Sequence, residues 1–481
     1  MKLITTIRTL LLTFLLVGLN YYSASSSYNI DYAEIRINTP LDLVDKIYLS
    51  TNEPINNGEE KILYSGIPKK NNEIIRIKCS SPSIIYITCK SSIYPIYIDK
   101  GSKTSVTITY KGNKPVFNYG GSYSNVNKYL AEKKDKLDIL TPMDIKDIYS
   151  MSPEKFGSFN ELISSEITAL RKKYSFSSTV DNRFKEYDSA DISSLLFIRK
   201  VNYPDYHYYF TKEKNPALYH FSNLPEDISI NNQYGLLSKN YVDLLSRYTS
   251  SLIKRSTAAK EMSIKEEQLN FFNEKFLLST TLFKDKEVAQ FLTTQILLGL
   301  LDLGFDSAFN EKVKIAQTTF QNTKYLNVAT EKYSALKEIG TGKKAPQIDM
   351  LDINEKKITL EQFKGKSVFI NVWTLACHNS VEELKNINKI ADQFKKADNI
   401  IFLNLYLDND INELKKYIKS NPISGTNAIL TNNKSDFSNK YFINTVPRYI
   451  LIDNEGNMIT PFEERPSSPL LLQKLMGLVK N

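Results

Sequence analysis

The stretch WTLACHNS, residues 373–380, decides how the C-terminal part of the chain is interpreted. It follows a short apolar run, Ser367–Val372, that is typical of a buried strand, and it precedes an amphipathic pattern, Val381–Phe394, that is typical of a helix. Cys377 is therefore expected at a helix N-terminus, where free backbone N–H groups and the helix dipole favour the thiolate. Ser380, three residues on, is expected to donate its hydroxyl to that thiolate.

Alternating strand and helix patterns continue beyond this stretch and predict an α/β domain from residue 340 to residue 481. Val446-Pro447 precedes one of the strands, and a proline just before a buried strand suits a cis peptide bond in a tight turn. The predicted elements are strands at Ile400–Leu407 and Tyr449–Asp453 and helices at Ile411–Ser420 and Pro469–Lys480.

These residues resemble the exported TlpA/ResA-type branch of the thioredoxin superfamily, whose members are thiol-disulfide oxidoreductases. Members of that branch share a series of short motifs in a fixed order along the chain. The series begins with an A-P segment, a strand that starts G-K-x-V, and N-x-W. It continues with the C-x-x-C motif, a glutamate three residues after its second cysteine, a cis-proline, and a strand that ends in I-D-x-x-G. The matching residues are Gly342, Ala345-Pro346, Gly365-Lys366-Ser367-Val368, Asn371-Val372-Trp373, Glu383, Pro447 and Leu451-Ile452-Asp453 before Gly456. The resemblance covers about 140 of 481 residues and implies a thioredoxin fold.

The match departs from the family at the nucleophile motif itself. Ser380 stands where the second cysteine of C-x-x-C is usual, Ala376 replaces the aromatic residue that usually precedes the first cysteine, and Lys385 replaces a helix proline. In a dithiol reductase the first thiol attacks the substrate and the second releases the mixed disulfide. Cys377 can attack, but its motif offers no second thiol to resolve the product.

We predict eight site residues, divided between chemistry and binding. The predicted catalytic residues are Cys377, Ser380 and Pro447, and the predicted binding residues are Trp373, His378, Glu383, Val446 and Arg448. His378 either tunes the thiolate or is merely an exposed helix residue.

Three functions remain open at this point. The first is monothiol disulfide exchange or isomerisation on protein thiols and disulfides, with an external thiol resolving the intermediate. The second is a degenerate, non-catalytic fold that binds a protein or peptide beside the cis-proline. The third is a one-cysteine peroxidase, since Thr374 to Cys377 matches a T-x-x-C core and Arg448 precedes a strand, although Ile370 stands where that motif has proline.

The remainder of the chain predicts two further domains. Residues 28–120 alternate apolar and polar side chains, as at Val106, Ile108 and Tyr110, which predicts an all-β sandwich. Residues 121–336 carry apolar positions three and four apart, beginning after Ser152-Pro153, which predicts an α-helical domain. This multidomain order also resembles family members from Bacteroidetes-type bacteria.

Composition excludes several classes of partner. The formal charge of +9 is spread along the chain without a dense basic block, so no nucleic-acid partner is predicted. The three histidines, His207, His220 and His378, show no ligand spacing with cysteines or with each other. We therefore predict no metal site and no cofactor.

The cysteines also point to the C-terminal part of the chain. Cys79 and Cys89 lie on two β-like runs joined at Ser80–Ser83. If these runs pair as a hairpin, the two thiols are not opposite each other and a bridge would be too long. Whether or not those two are bridged, Cys377 is the odd cysteine of the three, and an odd cysteine in an exported protein is a candidate reactive thiol.

The N-terminal residues predict export. Lys2 and Arg8 precede the apolar run Leu10–Leu19, and small residues follow, so residues 1–25 are typical of a signal peptide. The run is shorter than the roughly 20 apolar residues that span a bilayer. The predicted location is the periplasm or cell envelope, with a membrane tether only if the signal stays uncleaved.

We expect the exported form to begin near Ser25, because the small residues at 23–25 suit a signal-peptide cleavage site. N-terminal sequencing of the periplasmic or secreted protein measures this. Recovery of cytoplasmic protein that retains Met1 would contradict the prediction.

Overall fold

The computed structural model describes residues 31–39, 45–53, 55, 59–68, 72–140, 144–174, 179–215, 218–253, 264–304, 309–320, 324–408, 410–431 and 434–479. The predicted signal peptide, residues 1–25, lies outside these ranges. The chain forms two compact units, residues 1–251 and 252–481. The three-part fold class is confirmed, but its boundaries at 28–120, 121–336 and 340–481 stay predictions, since helices between 121 and 336 occur in both units. Within the described ranges, no helix combines the length and apolar composition that crossing a membrane requires.

The N-terminal unit begins with two four-stranded sheets that enclose one hydrophobic core, which confirms the predicted sandwich. One sheet has the order β4-β1-β7-β8 and the other β3-β2-β5-β6. The strands are β1 Tyr32–Asn38, β2 Ile47–Glu53, β3 Glu59–Gly66, β4 Glu73–Lys78, β5 Ser83–Cys89, β6 Ser92–Ile98, β7 Lys103–Lys111 and β8 Lys114–Gly121.

The two cysteines of this unit are free and buried. Cys79 follows β4 and Cys89 ends β5, and these strands belong to different sheets, so the runs around Ser80–Ser83 do not pair as a hairpin. The Sγ of Cys79 donates to the carbonyl of Ser81 at 3.1 Å, and the Sγ of Cys89 lies 3.5 Å from the hydroxyl of Tyr110. Both thiols therefore belong to the sandwich core.

Helices complete the N-terminal unit. They are α1 Ser124–Leu140, α2 Ile145–Tyr149, α3 Pro153–Lys173, α4 Thr179–Thr211 and α5 Lys239–Ser251, with a 3₁₀ turn at Gln233–Leu237. The predicted helix start at Ser152-Pro153 is confirmed, because the Ser152 hydroxyl accepts from the N–H of Lys155 and Pro153 occupies the first turn.

A buried charge cluster joins α1 to α4. The ammonium of Lys133 contacts Asp188 at 2.6 Å and Asp191 at 2.8 Å, and Arg171 Nε contacts Asp188 at 2.5 Å. Burial alone would lower the pKa of Lys133, but the two carboxylates raise it well above its usual value. A buried charge is tolerated in this way only when its partners remain in place.

In the described part of the C-terminal unit, four helices precede a seven-stranded sheet of order β10-β9-β13-β12-β11-β14-β15. The helices before the sheet are α6 Ile264–Thr281, α7 Lys286–Asp302, α8 Phe309–Thr319 and α9 Leu326–Lys337. The strands are β9 Asp349–Asp352, β10 Lys357–Thr359, β11 Ser367–Trp373, β12 Ile400–Tyr406, β13 Thr426–Leu430, β14 Arg448–Ile452 and β15 Met458–Thr460. The later helices are α10 His378–Gln393, α11 Ile411–Ser420, α12 Lys434–Tyr441 and α13 Pro469–Val479, and a 3₁₀ turn spans Leu360–Phe363.

Central strand β11 is buried along its whole length, because helices cover both faces of the sheet. On one face Ile370 packs with Phe437 and Tyr441 of α12. On the other face Phe369 packs with residues of α10 and α13. A strand whose two faces are both covered needs apolar side chains at successive positions, and the continuous apolar run in the sequence of β11 meets this need.

We expect Lys133→Met to lower the free energy of unfolding of the N-terminal unit by about 3–5 kcal/mol, because it leaves two buried carboxylates without their ammonium partner. Urea unfolding followed by tyrosine near-UV circular dichroism measures this loss. Fluorescence of Trp373, the one tryptophan of the chain, reports the C-terminal unit separately.

Lys128→Met is the matched control, since Lys128 is an exposed lysine of the same helix. Its substitution should change stability by less than about 0.5 kcal/mol. Equal losses for the two variants would show that the buried cluster is not the cause.

Candidate active site

Strand register brings the two halves of the site together. In β11 Val372 lies opposite Arg448 of the antiparallel strand β14. Because the two strands run in opposite directions, the segment that follows β11 meets the segment that precedes β14 at one edge of the sheet. The first segment carries Cys377, and the second carries Val446-Pro447, whose peptide bond is cis as predicted.

Cys377 lies between the start of α10 and the cis-proline loop. It is the N-cap residue of α10, and its carbonyl accepts from the N–H of Val381 at 3.1 Å. Its thiol is partly exposed and donates to the carbonyl of Val446 at 3.3 Å. A helix N-terminus favours the thiolate, whereas this carbonyl is a partner for the protonated thiol. The geometry therefore presents one accessible nucleophile with a well-defined neighbour.

Ser380 does not make the hydrogen bond predicted for it. Its side chain is buried, and its hydroxyl has no hydrogen-bond partner among the described residues. The thiol of Cys377 instead bonds to Val446. The prediction is wrong because Ser380, inside the first turn of α10, is directed into the interior, while Cys377 at the cap is partly exposed.

Two other predicted residues of α10 have different surroundings. Glu383 accepts from the backbone N–H of Ser467 at 3.0 Å and from its hydroxyl at 2.6 Å, which ties α10 to the segment before α13. His378 is exposed, and its Nε2 lies 3.3 Å from Glu382. Of the two interpretations of His378, its position agrees with an exposed helix residue.

Trp373 lies behind the site, in the hydrophobic core. It is fully buried and packs against Tyr406 and Tyr417, with ring centroids 5.1 and 5.8 Å away. It can therefore support the end of β11 but does not form part of the accessible surface.

Arg448 is directed toward helix α7 and not toward the thiol. Its Nη1 donates to the main-chain carbonyl of Asp302 at 3.1 Å, its Nη2 lies 3.9 Å from the carboxylate, and its guanidinium lies over Phe462. Burial lowers the pKa of Arg448 to about 10, and Asp302 opposes that shift. The Thr374 hydroxyl donates to Asp408, and Thr374 meets Cys377 only through its main-chain carbonyl, which accepts from the Cys377 N–H at 3.3 Å. Neither side chain of the peroxidase hypothesis is therefore directed at the thiol, which donates to Val446.

A groove of about 370 Å³ borders the cis-proline loop. Its walls come from α10, the loop itself, the segment after β15, and the helices α6 and α7. The lining residues are Gln268, Asp302, Leu303, Asn379, Glu382, Glu383, Thr445, Pro447, Arg448, Tyr449, Phe462, Glu463, Glu464 and Arg465. The sequence did not predict that α6 and α7 contribute to the wall of this groove. No local pattern connects Asp302 to Asn444, which lies 142 residues later in the cis-proline loop.

Comparison with known proteins agrees with this geometry. A family model described as thioredoxin-like matches residues 365–458. The thiol-disulfide oxidoreductase ResA of Bacillus cereus is 28% identical over 127 residues, which are 26% of this chain and 72% of the relative. ResA of Bacillus thuringiensis is 29% identical over 118 residues, 24% of this chain and 66% of the relative.

Solved structures similar to the chain each cover less than a third of it. The thioredoxin domain of a thiol-disulfide oxidoreductase from Bacteroides vulgatus is 26% identical and covers 29% of this chain and 97% of its own, with a TM-score of 0.26. A thiol:disulfide interchange protein from Bacteroides sp. is 23% identical and covers 30% of this chain and 93% of its own, with a TM-score of 0.27.

Iodoacetamide should label Cys377 in the native protein and spare Cys79 and Cys89. Burial raises the pKa of the Cys79 thiol to about 11 and also raises the pKa of Cys89, so both stay protonated at pH 7. Mass spectrometry after timed labelling between pH 6 and 8 measures the three rates.

The Cys377→Ser variant should show no labelling when native, and the wild-type protein should label at all three positions in urea. Labelling of Cys79 or Cys89 ahead of Cys377 would contradict the assignment of Cys377 as the reactive thiol.

Proposed function

We propose, from the premise that residues 365–458 are a thioredoxin-like domain related to thiol-disulfide oxidoreductases, that Cys377 carries out monothiol disulfide exchange on protein substrates. One observation supports this above the others. The structure presents an accessible thiol at the start of α10, against the carbonyl of Val446, and buries a serine at the resolving position.

The exchange consists of two displacements. The Cys377 thiolate attacks one sulfur of a substrate disulfide, the S–S bond breaks, and the other sulfur leaves as a thiolate that takes a proton from water. A second thiolate, from an external thiol or from the substrate itself, then attacks the mixed disulfide and releases Cys377 as a thiolate. Each displacement breaks one S–S bond and forms another, so the number of disulfides is unchanged. When a thiolate of the substrate resolves the intermediate, the substrate disulfide is rearranged, and when an external thiol resolves it, that thiol ends in the new disulfide.

The cis-proline loop supplies a site for the substrate backbone. In the free protein the Val446 carbonyl accepts from the Cys377 thiol at 3.3 Å. Once Cys377 has entered a mixed disulfide it has no proton to donate, and the carbonyl is free to accept an N–H from the bound chain. Binding and covalent attack are coupled through this one acceptor.

Export is part of the proposal and rests on the N-terminal sequence pattern alone. Disulfides persist outside the cytoplasm, so an exchange protein needs to meet its substrates there.

The groove would also serve the alternative function, a non-catalytic peptide-binding module. No specific contact favours the peroxidase, because Thr374 and Arg448 bond to Asp408 and Asp302.

Ser380→Cys separates exchange from simple binding. Among the residues that the structure describes, the hydroxyl of Ser380 has no hydrogen-bond partner, so the substitution breaks no hydrogen bond there. Wild-type protein should accumulate a mixed disulfide with a peptide disulfide and reduce insulin poorly. With dithiothreitol as the reductant, the variant should release that intermediate and reduce insulin at least about tenfold faster, because the second thiol attacks within the same molecule and dithiothreitol then reduces the disulfide formed between the two thiols. Non-reducing mass spectrometry and insulin turbidity measure the two effects.

Ser165→Cys is the matched control, since it adds a thiol at an exposed helix position of the N-terminal unit. It should leave insulin reduction at the wild-type level. If wild type forms no mixed disulfide and Ser380→Cys is equally inactive, exchange is excluded and the binding module is favoured.

A further inference from the structure

We propose that Asp302, the last residue of α7, is a positioning residue for the exchange site, and that it acts through Asn444 and Arg448 on the loop that contacts Cys377. The inference builds on the proposed function, because it assigns to a helix outside the family match the task of holding the substrate-binding loop. Residues 365–458 match the thioredoxin-like model, and Asp302 lies before them.

Asp302 holds the loop at both ends. The side chain of Asn444 donates to Asp302 Oδ1 at 2.6 Å, and Arg448 donates to the Asp302 carbonyl at 3.1 Å. Val446 and Pro447 lie between these two anchors. One residue of α7 therefore constrains the segment that contributes both the cis-proline and the acceptor for the Cys377 thiol.

The stability of α7 does not account for an aspartate at this position. A carboxylate at a helix C-terminus is opposed by the helix dipole. The last turn is closed by other groups, since the N–H of Leu303 bonds to Leu300 and that of Gly304 bonds to Leu301. The carboxylate of Asp302 makes its contacts with the loop instead, and its main-chain carbonyl receives the buried cation of Arg448.

The position of this loop decides how a substrate meets the thiol. A displacement of about 1 Å can cost as much as 100-fold in a reaction that depends on alignment. Asp302, the cap residue Leu303 that follows it, and Gln268 of α6 also line the groove beside the cis-proline. Substrates that extend along the groove should therefore depend on Asp302 more than small disulfides do.

Two substitutions test the side chain of Asp302 and leave the main-chain carbonyl that binds Arg448 in place. Asp302→Asn removes the negative charge but keeps an oxygen that can accept from Asn444, whereas Asp302→Ala removes both the charge and that oxygen. Exchange is measured with a peptide disulfide, which occupies the groove, and with bis(2-hydroxyethyl) disulfide, which is too small to do so. Glu331→Ala is the matched control, because Glu331 is an exposed carboxylate of α9 that does not line the groove.

Asp302→Ala should slow exchange of the peptide disulfide about tenfold and that of the small disulfide less than about twofold, because only the former uses the loop for alignment. Asp302→Asn should fall between Ala and wild type, and Glu331→Ala should match wild type. Equal rates for wild type and Asp302→Ala with the peptide would overturn the inference. Equal losses with both disulfides, accompanied by a loss of helix signal in circular dichroism, would also overturn it, since they indicate structural damage.

A second measurement keeps the inference testable if wild-type protein exchanges no disulfide. Loosening the loop removes the hydrogen bond from the Cys377 thiol to the Val446 carbonyl and leaves the sulfur more open to attack. Asp302→Ala should therefore label Cys377 with iodoacetamide at least about threefold faster, and Asp302→Asn, which keeps an oxygen for Asn444, should fall between Ala and wild type. Faster labelling without exchange would refute the proposed function and keep the positioning role, whereas identical labelling in the three proteins would refute the positioning role.

Discussion

The antiparallel pairing of β11 with β14 is the constraint on which the candidate site depends. The pairing places Val372 opposite Arg448, so the end of one strand and the beginning of the other share an edge of the sheet. Cys377 and the cis-proline loop meet there although Val446 lies 69 residues later in the chain. The pairing holds because β11 is covered on both faces, which leaves the strand little freedom to shift its register.

The three cysteines differ in their surroundings. Cys79 and Cys89 are enclosed in the sandwich core, where desolvation raises the pKa of each thiol. Cys377 is partly exposed at a helix N-terminus, and its thiol donates to the carbonyl of Val446. The replacement of the second cysteine by buried Ser380 removes intramolecular resolution and leaves an attacking group, which is the arrangement that exchange with an external thiol requires.

Buried cations link separate elements in both units. Lys133 joins α1 to two carboxylates of α4, and Arg448 joins the cis-proline loop to the end of α7. In each case a charge removed from water must find oxygen atoms nearby, so the partner position is strongly constrained. In the C-terminal unit this constraint brings helices outside the thioredoxin-like match to the groove beside the nucleophile.

The sequence by itself determined the features that depend on neighbouring residues. Strands β11, β12 and β14, the cis bond at Pro447 and the place of Cys377 before α10 were all predictable, because periodicity, burial and proline geometry act over a few positions. Strand β13 and helix α12 were missed, since β13 has only five residues and α12 has eight that are mostly polar. Only the tertiary structure decided that Ser380 faces inward, that Trp373 lies in the core and that Arg448 bonds to Asp302. Those contacts depend on packing between segments as far as 146 residues apart, and no local pattern encodes them.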